Sequence, residues 1–178
     1  MRGGCAANSF ISLATNPIMR FKPTTELCYL AGLAGHFREP ERSQVGILTQ
    51  NDEIEERFVK YSLKLGVEPK KIIIKEEGSF RHIYFYHSKI ARMISEIMKE
   101  RTTLPKKRGN LAVAFIAGTF DANGHTTRNM ITIRRLERSD ELLLELMGIH
   151  SVNSKILNIK SFVSLIKTQS VMARDISF

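Results

Sequence analysis

Apolar residues recur along this chain with two different periods. Ile54, Phe58, Tyr61 and Leu65 fall at helical spacing, which predicts a helix over about Glu53–Leu65 with one apolar face. Asp52 with Glu55 forms a capping-box pattern at its start, and Gly66 supplies the stop. Ile90, Met93, Ile94 and Ile97 make a second such face, on a helix capped by Ser88 and ending near Arg101. Strand-like segments are expected at Gln44–Gln50, Lys70–Lys75 and Phe80–His87, the last two joined as a hairpin through Glu76-Glu77-Gly78-Ser79. Two helices, Glu26–Phe37 (capped by Thr24 or Thr25) and Leu111–Asn123 (ended by Gly124), are apolar nearly all round. Downstream come a strand at Met130–Arg135 and a helix over Asp140–Met147, capped by Ser139 and closed by Gly148. Short strands at Ser151–Asn153 and Lys155–Lys160 and a last helix at Phe162–Lys167 follow. Ser9–Ala14 and Ile18–Lys22 form a further hairpin at the N-terminus.

The order helix, strand, helix, strand, strand, helix therefore occurs twice, on either side of a basic segment around 106–110. The chain divides into an N-terminal hairpin extension (1–24), a first repeat (25–105), a linker (106–110), a shortened second repeat (111–168) and a tail (169–178). The leading helices also resemble each other. One reads Leu30-Ala31-Gly32-Leu33-Ala34-Gly35-His36-Phe37, the other Ile116-Ala117-Gly118-Thr119-Phe120-Asp121-Ala122-Asn123-Gly124-His125. Their Ala-Gly pairs lie 86 residues apart. Small side chains at Ala31, Gly32, Gly35, Ala117 and Gly118 let two helices pack backbone to backbone about a pseudo-twofold axis.

Two such helices, each heading a similar array, resemble the paired motifs of single-chain LAGLIDADG homing endonucleases over about residues 25–168. The resemblance implies an α+β fold of two pseudo-symmetric αββαββα-like halves. Their antiparallel sheets would form a saddle over DNA, with the motif helices packed at the centre. In that family the last acidic residue of each motif holds a divalent metal beside a scissile phosphate. Here the second motif spans Ile116–Gly124: Asp121 fills its sixth place and Asn123 the eighth, where the carboxylate belongs. The first motif, Leu30–Arg38, has Gly35 and Phe37 at those places; a shifted alignment that pairs Gly35-His36 with Gly124-His125 deletes the acidic place. An amide lacks the charge that a hard divalent ion prefers. The implied function is duplex-DNA binding with cleavage lost, no metal and no cofactor; Mg2+ enters only if cleavage persists. The alternatives are an active endonuclease using other ligands (His36, His125, Glu39, Glu41), an RNA-binding, maturase-like splicing helper, and a protein-interaction module. The segment Met1–Ser12 faintly echoes a third motif, with Asn8 in the acidic place, or is simply an added hairpin.

Charge agrees with a polyanionic partner. The net charge is +9, with residues 1–24 contributing +3, 25–105 only +1 and 106–178 +5. Strand alternation puts Ile83 and Phe85 inward and sends His82, Tyr84 and Tyr86 to an open sheet face, with Lys71 and Lys75 from the neighbouring strand. In the second half Ile131 and Ile133 face inward and Arg128, Thr132 and Arg134 outward. Such side chains suit phosphate positioning and base reading, and equally an ordinary solvated face. Lys106, Lys107 and Arg108 would lie near the pseudo-twofold axis. Two cysteines, Cys5 and Cys28, make neither a disulfide framework nor a zinc pattern. No apolar run approaches the ~20 residues of a membrane span, and the first residues are too polar for a signal peptide. The expectation is an intracellular monomer, cytoplasmic or nucleoid-associated, with no membrane contact.

Overall fold

The computed structural model describes residues 21–35 and 43–177. The first half holds α1 (Thr25–Ala34), β1 (Gln44–Thr49), α2 (Asp52–Lys64), β2 (Ile73–Glu77), β3 (Phe80–Tyr86) and α3 (Ser88–Glu100). A short α4 (Leu104–Lys107) connects to α5 (Gly109–Asn123). The second half continues with β4 (Gly124–Thr127), β5 (Met130–Ile133), α6 (Arg138–Leu146), β6 (Ser151–Val152), β7 (Lys155–Ile156) and α7 (Ile159–Ile166). The class is α+β, with antiparallel pairing throughout: one sheet in the order β1-β3-β2, the other β4-β5-β7-β6.

α1 and α5 have no polar face, and they form the centre. Thr24 Oγ1 accepts from the Leu27 N–H at 3.2 Å to start α1, and every residue from Leu27 to Ala34 is buried. In α5 the burial runs from Leu111 through Asp121 with only Val113 partly exposed. The two helices cross at their glycines. A Cβ built on Gly32 would lie 2.1 Å from the Phe115 carbonyl oxygen and 2.8 Å from the Thr119 nitrogen. A Cβ on Gly118 would lie 2.1 Å from the Tyr29 carbonyl oxygen and 2.9 Å from the Leu33 nitrogen. The same offset of 86 relates each pair (29 with 115, 32 with 118, 33 with 119), so the crossing is a pseudo-twofold in which each backbone occupies the place of the other's missing side chain.

The sheets lay their apolar sides on this pair. Register aligns Val45 with Phe85 and Ile47 with Ile83, and all four are buried. In the second sheet Ile131 faces Ile156, again buried. Arg101, 4% exposed, ties the connector to α6: its guanidinium pairs with Glu137 and Asp140 and bonds the Met98 carbonyl.

Several elements differ from the sequence expectations. α1 ends at Ala34 with Gly35 as its C-cap, three residues short of Phe37. The start of α2 is capped by Asn51, whose Oδ1 accepts from the Glu53 and Ile54 N–H groups, not by Asp52. His87, not Ser88, caps α3, and Glu137, not Ser139, caps α6 through a reciprocal capping box with Asp140. β4 was not expected, because Gly-His-Thr-Thr shows no apolar alternation; it forms because the chain turns straight back into β5. Residues 104–107 are helical rather than an open linker, with Pro105 in the first turn where its missing N–H costs nothing. Lys70 and Lys71 belong to a 3-10 turn, and β2 starts only at Ile73. Residues 1–20, which hold nearly all of the expected N-terminal hairpin, and Phe37 lie outside the described residues, as do His36, Glu39 and Glu41.

The tail is tied down. Beyond α7, residues 169–174 fold across the first half: Arg57 donates to the Gln169 carbonyl, and Arg174 approaches Glu53 at 3.7 Å.

Candidate nucleic-acid interface

α5 delivers its C-terminal end to a cavity of about 680 Å³ between the halves. Leu33, Ile47 and Ile54 form apolar wall, and Gln50, Asn51, Asp121, Asn123 and Arg135 bring polar atoms. The position of each polar group follows from its element. Asn123 is the last residue of α5, and its carbonyl accepts from the Arg134 N–H at 2.9 Å as the chain leaves β5. That bond brings Arg135 beside the helix end, where it takes a left-handed backbone (φ 59) and presents an exposed side chain.

Among the described residues Asp121 is the one carboxylate on this wall, and all its acceptor positions are taken. Oδ2 accepts from the Tyr29 hydroxyl at 2.6 Å and the Val171 N–H at 2.8 Å; Oδ1 accepts from the Ser170 hydroxyl and from the Met172 N–H at 3.0 Å. Burial first, and the Asp121 charge second, push the Tyr29 phenol well above its ordinary value, so Tyr29 stays a donor to Asp121. Asp121 thus fastens the tail to the motif helix. Asn123 Nδ2 is buried and has no hydrogen-bond partner among the described residues. No group of three or more His, Cys, Asp or Glu among the described residues could hold a metal ion. Among the described residues the donor set does not fit a divalent cation: the Asn123 amide, the Asp121 carboxylate with its four donors, and Arg135 on the cavity wall.

The open face of the first sheet carries Lys75, His82, Tyr84 and Tyr86 together, since Lys75 pairs with His82 and Ile73 with Tyr84 across β2 and β3. The rings form a column, His82 to Tyr84 at 4.6 Å between centroids and Tyr84 to Tyr86 at 5.7 Å, with Lys75 Nζ 5.5 Å above Tyr84. The Tyr84 hydrogen bond, first, raises the Lys75 ammonium above its usual range. Tyr84 is buried by this packing, and Tyr86 is exposed. Lys71 is not in this column; it sits on the turn before β2, paired with Glu68 at 2.7 Å. The same face exposes Leu48, Ile73 and Phe80, which strand alternation could have revealed in β1, β2 and β3 but which no charge marked.

On the second sheet Thr132 shares its face with His125 of β4 and Lys155 of β7, both exposed. Arg128 sits in the β4–β5 turn and Arg134 just past β5, both exposed. Lys155 and Arg135 escaped the sequence reading, Lys155 because β7 is only two residues long. Lys106 and Lys107 lie on α4, and Arg108 is the N-cap of α5. Fifteen residues of helix separate them from Asn123, roughly 22 Å. The structure therefore groups Asn123, Arg134 and Arg135 with the second sheet and leaves the basic connector at the far end of the axis. Among the described residues no helix is long and apolar enough to cross a membrane.

No sequence-family profile matches the chain, and no curated protein sequence does. Solved structures do match. A mesophilic variant of the homing endonuclease I-DmoI superposes with a TM-score of 0.64 at 16% identity, covering 81% of this chain and 96% of that one. I-DmoI in complex with DNA and Mn gives 0.62 at 16% identity, covering 80% and 96%. The N-terminal LAGLIDADG domain of WhiA gives 0.55 at 17% identity, covering 83% and 80%. Likeness at this identity speaks for architecture alone, and the architecture of this chain is the two-motif fold of the LAGLIDADG homing endonucleases.

Proposed function

We propose that this chain is a duplex-DNA-binding protein that does not cleave by the metal-dependent route of its structural relatives, and that it acts as a monomer. One observation carries the reading. The crossing of α1 and α5 at Gly32 and Gly118 places two antiparallel sheets about one axis, and the end of α5 on that axis carries Asn123 in place of a free carboxylate, with Arg135 on the wall of the same cavity. The duplex would lie along the open sheet faces. Arg128, Arg134 and Lys155 of the second half supply phosphate contacts, joined by Lys75 of the first. Thr132, His82 and Tyr86 are within the same faces and face the grooves. Homing endonuclease I-DmoI has been seen in complex with DNA and Mn, and with DNA and Ca, which supports the choice of partner.

The first sheet favours a second reading. Its aromatic column with exposed Phe80 and Tyr86 is suited to stacking unpaired bases, which points to structured RNA. Fluorescence anisotropy with a labelled duplex and a labelled stem-loop RNA, over a salt series, separates the two. Tighter duplex binding with a steep salt slope and no nicking in Mg2+ is the expected result. Preferential RNA binding would transfer the assignment to the second reading. Nicking abolished by chelator would refute the loss of cleavage, and no binding to either at low salt would refute both.

A further inference from the structure

We infer that the Arg135 guanidinium takes the place of a divalent cation at the end of α5, where with Asn123 it binds a backbone phosphate of the DNA without metal. The inference rests on the DNA-binding reading above and adds to it how the site works. The carbonyl end of α5 is the negative pole of a helix, a place that favours any positive charge. The Arg134–Asn123 backbone bond brings Arg135 to that pole, and its left-handed backbone turns the side chain toward the cavity it lines. A long side chain rarely adopts that conformation, so the turn is specific to this position. A resident guanidinium repels a second cation at the same pole.

The hydrogen-bond inventory points the same way. A metal needs acceptors; a phosphate needs donors. The donors here are the guanidinium and the Asn123 Nδ2, which has no partner among the described residues. The one acid nearby among the described residues, Asp121, is surrounded by four donors from Tyr29, Ser170, Val171 and Met172, which leave no oxygen for a metal and offset its charge toward an arriving phosphate. Guanidinium and phosphate pair through two parallel N–H···O bonds, a geometry that Lys cannot copy although it carries the same charge.

The test uses the full chain and a labelled duplex, titrated with salt in Mg2+ and again in excess chelator. Wild-type affinity should be the same in both within about twofold. Arg135→Met should lower the slope of log K against log salt by about 0.9, equivalent to roughly 8-fold weaker binding at about 0.1 M salt. Arg135→Lys should keep the slope while losing part of the affinity. Asn123→Ala should weaken binding with the slope unchanged, because it removes a neutral donor. Because Arg135 is exposed, the two Arg135 variants are expected to match the wild type in thermal unfolding. A wild-type affinity that falls tenfold or more in chelator, or an Arg135→Met slope equal to wild type, overturns the inference while leaving DNA binding intact. Failure of the wild type to bind duplex at low salt removes DNA binding itself.

Discussion

The crossing of α1 and α5 can be tested by adding one carbon. In Gly118→Ala the new Cβ would fall 2.1 Å from the Tyr29 carbonyl oxygen, about 1.3 Å inside the 3.4 Å at which ordinary contact begins. The obstacle is backbone, so no rotamer change relieves it; the helices must separate. A gap of about 0.5–1 Å already forfeits a quarter to a half of a dispersion contact. Here the gap would open along two helices that are buried nearly end to end. Overpacking of cores typically costs ~1–3 kcal/mol, and this case belongs at the upper end, about 3 kcal/mol. At ~2–4 °C per kcal/mol for a chain of this size, Tm should fall by roughly 6–12 °C. Gly32→Ala meets the Phe115 carbonyl oxygen at the same 2.1 Å and should cost about as much. The double variant should cost less than the two together, since one separation accommodates both methyls. Gly109→Ala, with nothing within 4 Å of its Cβ, is the control and should be neutral or stabilising by up to ~1 kcal/mol. Thermal and urea unfolding followed by circular dichroism read all four. Single variants within about 0.5 kcal/mol of wild type, or a strictly additive double, would refute the backbone-to-backbone packing.

Three further perturbations probe the buried polar groups. Arg101→Met leaves Asp140 (3% exposed) without its cation and should cost about 3–5 kcal/mol in urea unfolding; a smaller loss than ~1 kcal/mol would mean that the pair is solvated. Asp121→Ala orphans the Tyr29 hydroxyl and the N–H groups of Val171 and Met172; the tail should then detach, seen as faster amide exchange at residues 170–173 and new cleavage there by protease, and unchanged exchange would show that other contacts hold it. Burial pushes the Cys28 thiol up from 9.0 to about 12 and also raises the Tyr29 phenol above its ordinary 10.0. A folded-state value above the unfolded one favours the protonated form in the fold, so this stability is fully present below about pH 9 and is lost as pH climbs from there. Tm should fall between pH 9 and 11, less steeply in a Cys28→Ala, Tyr29→Phe double variant, and parallel curves would refute the assignment.

How much of this was legible in the sequence depended on how local each cause is. The central helices were readable because Ala31-Gly32 and Ala117-Gly118 interrupt long apolar runs at matching places, and small residues in such runs have few uses other than close approach. The faces of β3 and β5 followed from alternation, which acts over a few residues. Cap positions were missed by one or two residues, because Asn51 and Glu137 outcompete neighbours of similar chemistry only through the angle at which the chain enters the helix. β4 was hidden because its four residues gain their order from pairing with β5, not from an apolar face of their own. Arg135 depended on the sign of one backbone angle. The destination of Asp121 was the least legible, since three of its four partners lie 49, 50 and 51 residues later in a segment with no periodicity.

That last case also explains why the two halves diverge at the point where symmetry would make them most alike. The offset of 86 that holds at Tyr29/Phe115, Gly32/Gly118 and Leu33/Thr119 pairs Asp121 with Gly35. Around Asp121 the wall is the tail, whose N–H groups need an acceptor; around Gly35 it is α3, whose Met98 sulfur would lie 2.4 Å from any Cβ placed there. The difference traces to connectivity. After α3 the chain must continue through α4 into α5, so it leaves the axis at the Arg101 ion network. After α7 residues 169–174 fold back over α2 and the end of α5. The acid at the sixth motif place is therefore bound into the returning tail through Ser170, Val171 and Met172, while Asn123, two residues later, and Arg135 line the cavity at the end of α5.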